Sequence, residues 1–376
     1  MLPKVSEFKS DAFSTFERSV LLVSEGFEHR SLAFSQAIPK GTSFEQIVIF
    51  VNEPARASRL QELESKLANF TSNEILQITF HRNDPEECEQ AVRSLLTNRL
   101  YNASDFVVDI SVFSRLLILI LFNILAVIEK RVRVIYTEPE DYNPSKEDFE
   151  ESVQQRPVDL VAFSSAGLKN VLRTSGLSSS VMIGQPTALV AFVSFNAHLI
   201  SGLLHSLSPA RLLLVGVSPP RLGWRAAASA QIHESIIDDY SRDNPQNELG
   251  ELERASSSLD YQDTIRVLAE IYREFCFTHR LVLAPTGSKM QALGAALFRA
   301  ICPDVHIEYP MPEKYFHEGF SSKEIHKIHV IDFKSLSRTI TDIERCFQLD
   351  GSWDDVFKEE KFVAPRSVDL GSTKNF

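Results

Sequence analysis

Short, nearly continuous apolar runs alternate with longer amphipathic stretches along most of the chain. In the first half the runs are VLLV (20–23), IVIFV (47–51), FVVDI (106–110) and RVIY (133–136). In the second they are ALVAFV (188–193), LLLVGV (212–217), LVLA (281–284) and IEY (307–309). Between them lie stretches of helical spacing such as DPEECEQAVRSLL (84–96) and LDYQDTIRVLAEIYREF (259–275). Continuous apolar strands separated by helices predict parallel sheets covered on both faces. The stretch VFSRLLILILFNILAVI (112–128) has the length of a minimal membrane span but contains Arg115 and Asn123 and follows a strand, so it is read as a buried helix.

The order of elements repeats. The segments 19–34, 44–63, 84–96, 106–125, 131–142 and 157–163 are matched in turn by 188–204, 209–228, 259–275, 279–298, 305–315 and 325–333. Single residues match as well as patterns. Pro54 and Arg56 correspond to Pro219 and Arg221, and Ser114-Arg115 to Ser288-Lys289. Pro139 and Tyr142 correspond to Pro312 and Tyr315, and Phe163 to Phe333. Near-constant offsets of this kind indicate internal duplication. The predicted fold class is therefore α/β, with two tandem Rossmann-like doubly wound parallel sheets. The units are placed at 1–175 and 186–348, with 349–376 as a C-terminal tail. In such sheets ligands bind beyond the carboxyl ends of the strands, at helix N-termini.

Composition narrows the partners. The chain has 376 residues, 44% of them hydrophobic, and a net charge of −11. Segments 137–156 and 234–263 carry net charges of −5 and −7, so the rest is close to neutral and leaves room for a local anion site. An overall basic surface for duplex nucleic acid or an anionic membrane is excluded. Four scattered cysteines without CxxC, and an N-terminus without an apolar run, point to a reduced, cytoplasmic protein. The ten histidines show no metal spacing, and His326 and His329, on one strand, are expected to face outward. GxGxxG and the common hydrolase, zinc and kinase signatures are missing, so no cofactor is expected.

Candidate chemistry gathers at the predicted strand ends. The loop APTGSKM (284–290) joins a strand to a helix, with Thr286, Gly287, Ser288 and Lys289 offering N–H groups, hydroxyls and a charge. That set suits a phosphate; the alternative is an ordinary helix start capped by a hydroxyl. Lys289 is expected to be exposed. The corresponding loop of the first unit keeps Ser111, Ser114 and Arg115 but gains the bulk of Val112 and Phe113. After the second strands stand Arg56 in the first unit, and Arg221, Trp224 and Arg225 in the second. They read as phosphate and base contacts, or as a proline-stiffened turn with a packed indole. Glu25 and Arg30 follow the first strand, and Tyr142 and Tyr315 follow the fifth strands, where a ring can flank a base or simply pack.

The strand-PTGSKM-helix segment, 281–296, resembles the Thr-Gly-Gly-Thr-Lys-x-Met loop of CARF domains, Rossmann-like sensors of cyclic oligonucleotides in prokaryotic antiviral systems. Thr286, Gly287 and Lys289 match; Ser288 stands at a small-residue position, and one glycine is lacking. The tandem copy is similar to the fused paired arrangement of SAVED-type sensors. The resemblance implies a two-fold pair with its ligand in between. No effector motif is evident, so it implies either a regulator whose effector is another protein or a chain that processes the ligand itself. The expected ligand is a phosphate-bearing small molecule or short oligonucleotide. Two other readings remain: an enzyme acting on a nucleotide or sugar phosphate in the same cleft, and a protein-interaction scaffold.

Overall fold

The computed structural model describes residues 2–53, 58–155, 163, 165–243, 254–316 and 324–348. The chain enters through β1 (Ser6–Glu7). It then runs β2 (Ser19–Ser24), α1 (Ala33–Ala37), β3 (Gln46–Glu53), α2 (Leu60–Leu67), β4 (Leu76–His81), α3 (Pro85–Ser94), β5 (Asp105–Asp109), α4 (Arg115–Leu125) and β6 (Arg131–Pro139). Helix α5 (Lys146–Gln155) and the short strands β7 (Ser165–Ala166) and β8 (Asn170–Leu172) lie between the units. The second unit runs β9 (Thr187–Phe192), α6 (Ala197–Leu207), β10 (Arg211–Ser218), α7 (Trp224–Asp243), β11 (Ala255–Ser257), α8 (Tyr261–Phe275), β12 (Arg280–Ala284), α9 (Lys289–Ile301), β13 (His306–Ile307) and β14 (Tyr309–Met311). β15 (Lys314–Tyr315), β16 (Ile325–Phe333) and α10 (Leu336–Gln348) follow.

Each central sheet has five parallel core strands, and the two share one strand order. The first reads β4-β3-β2-β5-β6 and the second β11-β10-β9-β12-β13, each placing its first strand at the centre. The registers correspond too: Ser19 pairs with Asp105 as Thr187 pairs with Arg280. This is the Rossmann-like arrangement expected from the apolar runs.

The edges differ from expectation. Segment 325–333 was expected to close the second unit. It forms β16, which runs antiparallel to β6 of the first sheet, and β1 pairs antiparallel with β16. Conversely β8 pairs with β14, and β7 with β15. The fifth strand of the first sheet is thus flanked by a strand from the second half, which makes that sheet mixed rather than purely parallel, while β8 and β7 of the first half pair with β14 and β15 in two small separate sheets. Hydrophobic period identifies a strand but not its partner, which explains the misplacement. The 157–162 part of the proposed first-unit closing strand, together with Pro54, Arg56 and the tail from 349 onward, lies outside the described residues.

The stretch expected to be a buried helix is α4, and its neighbour is α9. Leu116 to Phe122 and Met290 to Phe298 are buried without a break, because the two helices pack against each other between the sheets. A helix apolar on all sides needs such surroundings. One continuous core extends from Val20 and Phe106 through α4 and α9 to Leu283 and Phe333, so the units share it. No helix among the described residues is long and apolar enough to cross a membrane.

Candidate functional site

The starts of α4 and α9 meet head to head. Ser114 Oγ accepts from Leu117 N at 3.1 Å, and Ser288 Oγ accepts from Gln291 N at 3.1 Å, while Gln291 Oε1 accepts from Ser288 N at 2.8 Å. Both serines are therefore helix caps. Ser288 Oγ also donates to Ser258 O at 2.7 Å. The cations beside them cross between the units. Arg115 Nη1 donates to Thr286 O at 2.6 Å and Gly287 O at 2.7 Å. Lys289 Nζ donates to Phe113 O at 2.9 Å.

Lys289 is not the exposed side chain expected from its loop. The residue as a whole is half-buried, but its ammonium is enclosed by protein. Burial, with help from Arg30 and Arg115, pushes it down to about 7, against a smaller opposing effect of Glu28. The hydroxyls of Thr286 and Ser111 are buried, and each is bonded to the backbone of a strand outside its own loop. Thr286 Oγ1 donates to Phe192 O at 2.6 Å and accepts from Phe192 N at 3.0 Å. Ser111 Oγ donates to Asp109 and accepts from Thr137 N at 2.8 Å.

Above these loops is a cavity of about 430 Å³ at the carboxyl ends of both parallel sheets. Gly287, Ser288, Lys289, Ser114 and Arg115 border it, as do Glu25, Arg30, Tyr142, Tyr315, Arg221 and Arg225. Eleven residues singled out on separate loops thus share one wall. Thr286, Ser111 and Trp224 are not part of that wall.

The arginines of the second-unit loop hold the turn after β6. Arg221 Nη2 donates to Glu140 Oε1 at 2.6 Å and Glu140 O at 3.0 Å. Arg225 donates to the carbonyls of Tyr142 at 3.2 Å, Asn143 at 3.2 Å and Pro144 at 2.8 Å, and lies 4.2 Å from the centre of the Phe195 ring. Burial pushes Arg225 down to about 10. Trp224 packs against Phe149 and Phe195, each ring centre 6.0 Å away, as the packed-indole alternative requires.

Each unit also carries a tyrosine pair that the sequence reading half-found. Tyr136 and Tyr142 join hydroxyl to hydroxyl at 2.8 Å, and Tyr309 and Tyr315 are hydrogen-bonded likewise. The signal was present, since Tyr136 and Tyr309 share the offset that relates Tyr142 to Tyr315. Arg30 stands by the first pair and Arg82, also missed, by the second. His329, expected to face outward, is buried, with Nε2 2.9 Å from Glu138 Oε2. That contact, with Arg221 nearby, holds the Glu138 carboxyl below its ordinary range despite burial.

No protein-family model matches the chain, and no curated protein matches it. Among solved structures it is similar to one described as a type III CRISPR defence DNA nuclease activated by cyclic oligoadenylate. Identity is 10%, the TM-score is 0.44, and the match covers 77% of this chain and 65% of that one. The chain thus spans about two-thirds of that nuclease. A second similar structure is an ABC transporter solute-binding protein from Burkholderia multivorans, at 8% identity, 77% coverage of both chains and a TM-score of 0.21. Strand order and register define the fold independently of either likeness: an α/β protein of two Rossmann-like halves sharing one core and one cavity.

Proposed function

We propose that the chain binds a phosphate-bearing ligand, a nucleotide or short oligonucleotide, in the cavity between its halves, and acts as a sensor. One observation carries this reading. Five arginines, Arg30, Arg82, Arg115, Arg221 and Arg225, and the partly charged Lys289 line the cavity against three carboxylates, Glu25, Glu28 and Glu138. The surrounding protein is strongly acidic, at −11 overall. An electropositive pocket in an acidic chain favours an anionic ligand. The tyrosines offer rings to a base. The resemblance of segment 281–296 to CARF loops supports an oligonucleotide signal in antiviral defence, with the response delivered by a separate effector protein.

The test is a thermal-shift panel on the full chain with mono-, di- and cyclic nucleotides, followed by chromatography of the recovered ligand. A ligand at 100 times its Kd stabilises by about 2.7 kcal/mol. A shift with ligand recovered intact supports the sensor, and a shift with ligand consumed turns the reading into the enzyme. No shift with any nucleotide or with inorganic phosphate removes it.

A further inference from the structure

The two first-strand loops are equivalent by register but opposite in chemistry. Counting equally from Ser19 and Thr187, Glu28 stands where the second unit has Asn196, and Arg30 where it has His198. In the second unit these polar groups satisfy one another. Ser165 Oγ donates to Asn196 Oδ1 at 2.8 Å and lies 3.3 Å from His198 Nε2. Burial, aided by Arg115, pushes His198 down to about 4, so it is neutral at pH 7. In the first unit Arg30 is 5% exposed, and its Nη2 donates to Glu28 Oε1 at 2.9 Å. Its Nε and Nη1 have no partner. Among the described residues, no other buried side chain with an unpartnered polar atom lines the cavity.

The same imbalance recurs at the third strands. Arg82 follows β4, and its register equivalent after β11 is Ser258. The matched cations Arg115 and Lys289 are already bonded to loop carbonyls, and Arg56, the counterpart of Arg221, lies outside the described residues. A two-fold ligand needs like groups in both halves. An unsatisfied buried guanidinium is costly and calls for an acceptor.

We infer that the cavity holds an asymmetric ligand, a linear nucleotide whose terminal phosphate sits against Arg30 in the first unit while its uncharged end faces Asn196 in the second. This rests on the nucleotide reading and narrows it. A phosphate oxygen accepts the charge-assisted bonds that Arg30 leaves unmade. Glu28 occupies only the Nη2 corner of the fork.

The experiment is calorimetry on the full chain with linear dinucleotides of each base, with and without a 5′-phosphate, and with the matching cyclic dinucleotides. The 5′-phosphorylated linear form should bind at least 10-fold tighter than both others. R30Q should abolish that difference, and H198Q should leave it unchanged. If R30Q does not fold, R30K, which keeps the charge but loses the free Nε and Nη1 donors, should shrink the difference several-fold. Cyclic forms binding as tightly as the phosphorylated linear form, or R30Q and H198Q acting equally, would overturn the asymmetry and leave the nucleotide reading standing. Absence of binding by every probe would remove both.

Discussion

Lys289 Nζ donates to Phe113 O at 2.9 Å, and its counterpart Arg115 donates to Thr286 O and Gly287 O, so each unit's matched cation ties down the other unit's loop. The duplicated Ser-cation pair thus joins the halves at the cavity floor. Arg115→Ala removes two charge-assisted bonds and strands two carbonyls. A hydrogen bond to a charged group contributes roughly 1.5–3 kcal/mol, so a loss of about that size is expected. Urea unfolding should show a lower midpoint with an unchanged slope. An unchanged midpoint would show that the crossing contacts are idle.

Lys289 should make stability depend on pH. Its ammonium falls from an ordinary 10.5 to about 7 in the folded chain, chiefly through burial. Between those values the unfolded chain binds the extra proton, so stability rises with pH across that window. Below pH 7 both states are protonated and the burial penalty is complete. Wild type should therefore gain stability relative to K289M from pH 7 to 10, measured by urea unfolding at each pH. Parallel curves would contradict the buried ammonium.

The same group should report ligand binding. A phosphate beside Lys289 favours its charged form and raises its pKa. Binding near pH 8 should then take up protons, and affinity should fall as pH rises from 7 to 9. Calorimetry in buffers of different ionisation enthalpy measures this uptake, which K289M should lack. Zero uptake by the wild type would place the anion away from Lys289.

Helix α9 approaches α8 through Gly294. A Cβ there would lie 2.7 Å from Thr264 Cβ and 2.7 Å from the Tyr261 carbonyl. Overpacking of a tight core costs roughly 1–3 kcal/mol, so Gly294→Ala should destabilise by about that much despite its better helix propensity. A rise in melting temperature would show that the two helices can move apart.

Much of the architecture was legible because buried parallel strands advertise themselves as unbroken apolar runs, as in VLLV and ALVAFV. The Ser114-Arg115 and Ser288-Lys289 match located both cavity-floor loops. Partnership was not legible. Nothing in IHKIHVIDF says that β16 joins β6 instead of β14, since a strand pattern specifies faces and not neighbours. The enclosure of Lys289 and His329 was hidden for the same reason: each is covered by residues far away in sequence. Arg82 was missed because a lone arginine after a half-exposed strand carries no local signature.

The exchanged edges make a final prediction about the halves. Read as two domains, residues 1–175 should fold alone. The structure argues otherwise. That fragment lacks β16, whose Ile331 and Phe333 are 1% exposed and belong to the shared core. It would also expose β6 as an unpaired edge and uncover the face of α4 that packs on α9. Each large apolar side chain uncovered costs about 1.5–3 kcal/mol, so several exceed the roughly 5–15 kcal/mol that holds a domain together. Expressed alone, 1–175 should aggregate or melt without a cooperative transition. Co-expressed with 176–376, it should be recovered as a soluble complex, because the second fragment restores β16 and α9. Cooperative melting of 1–175 by itself, followed by calorimetry or circular dichroism, would show that the exchanged strand and the shared core are dispensable.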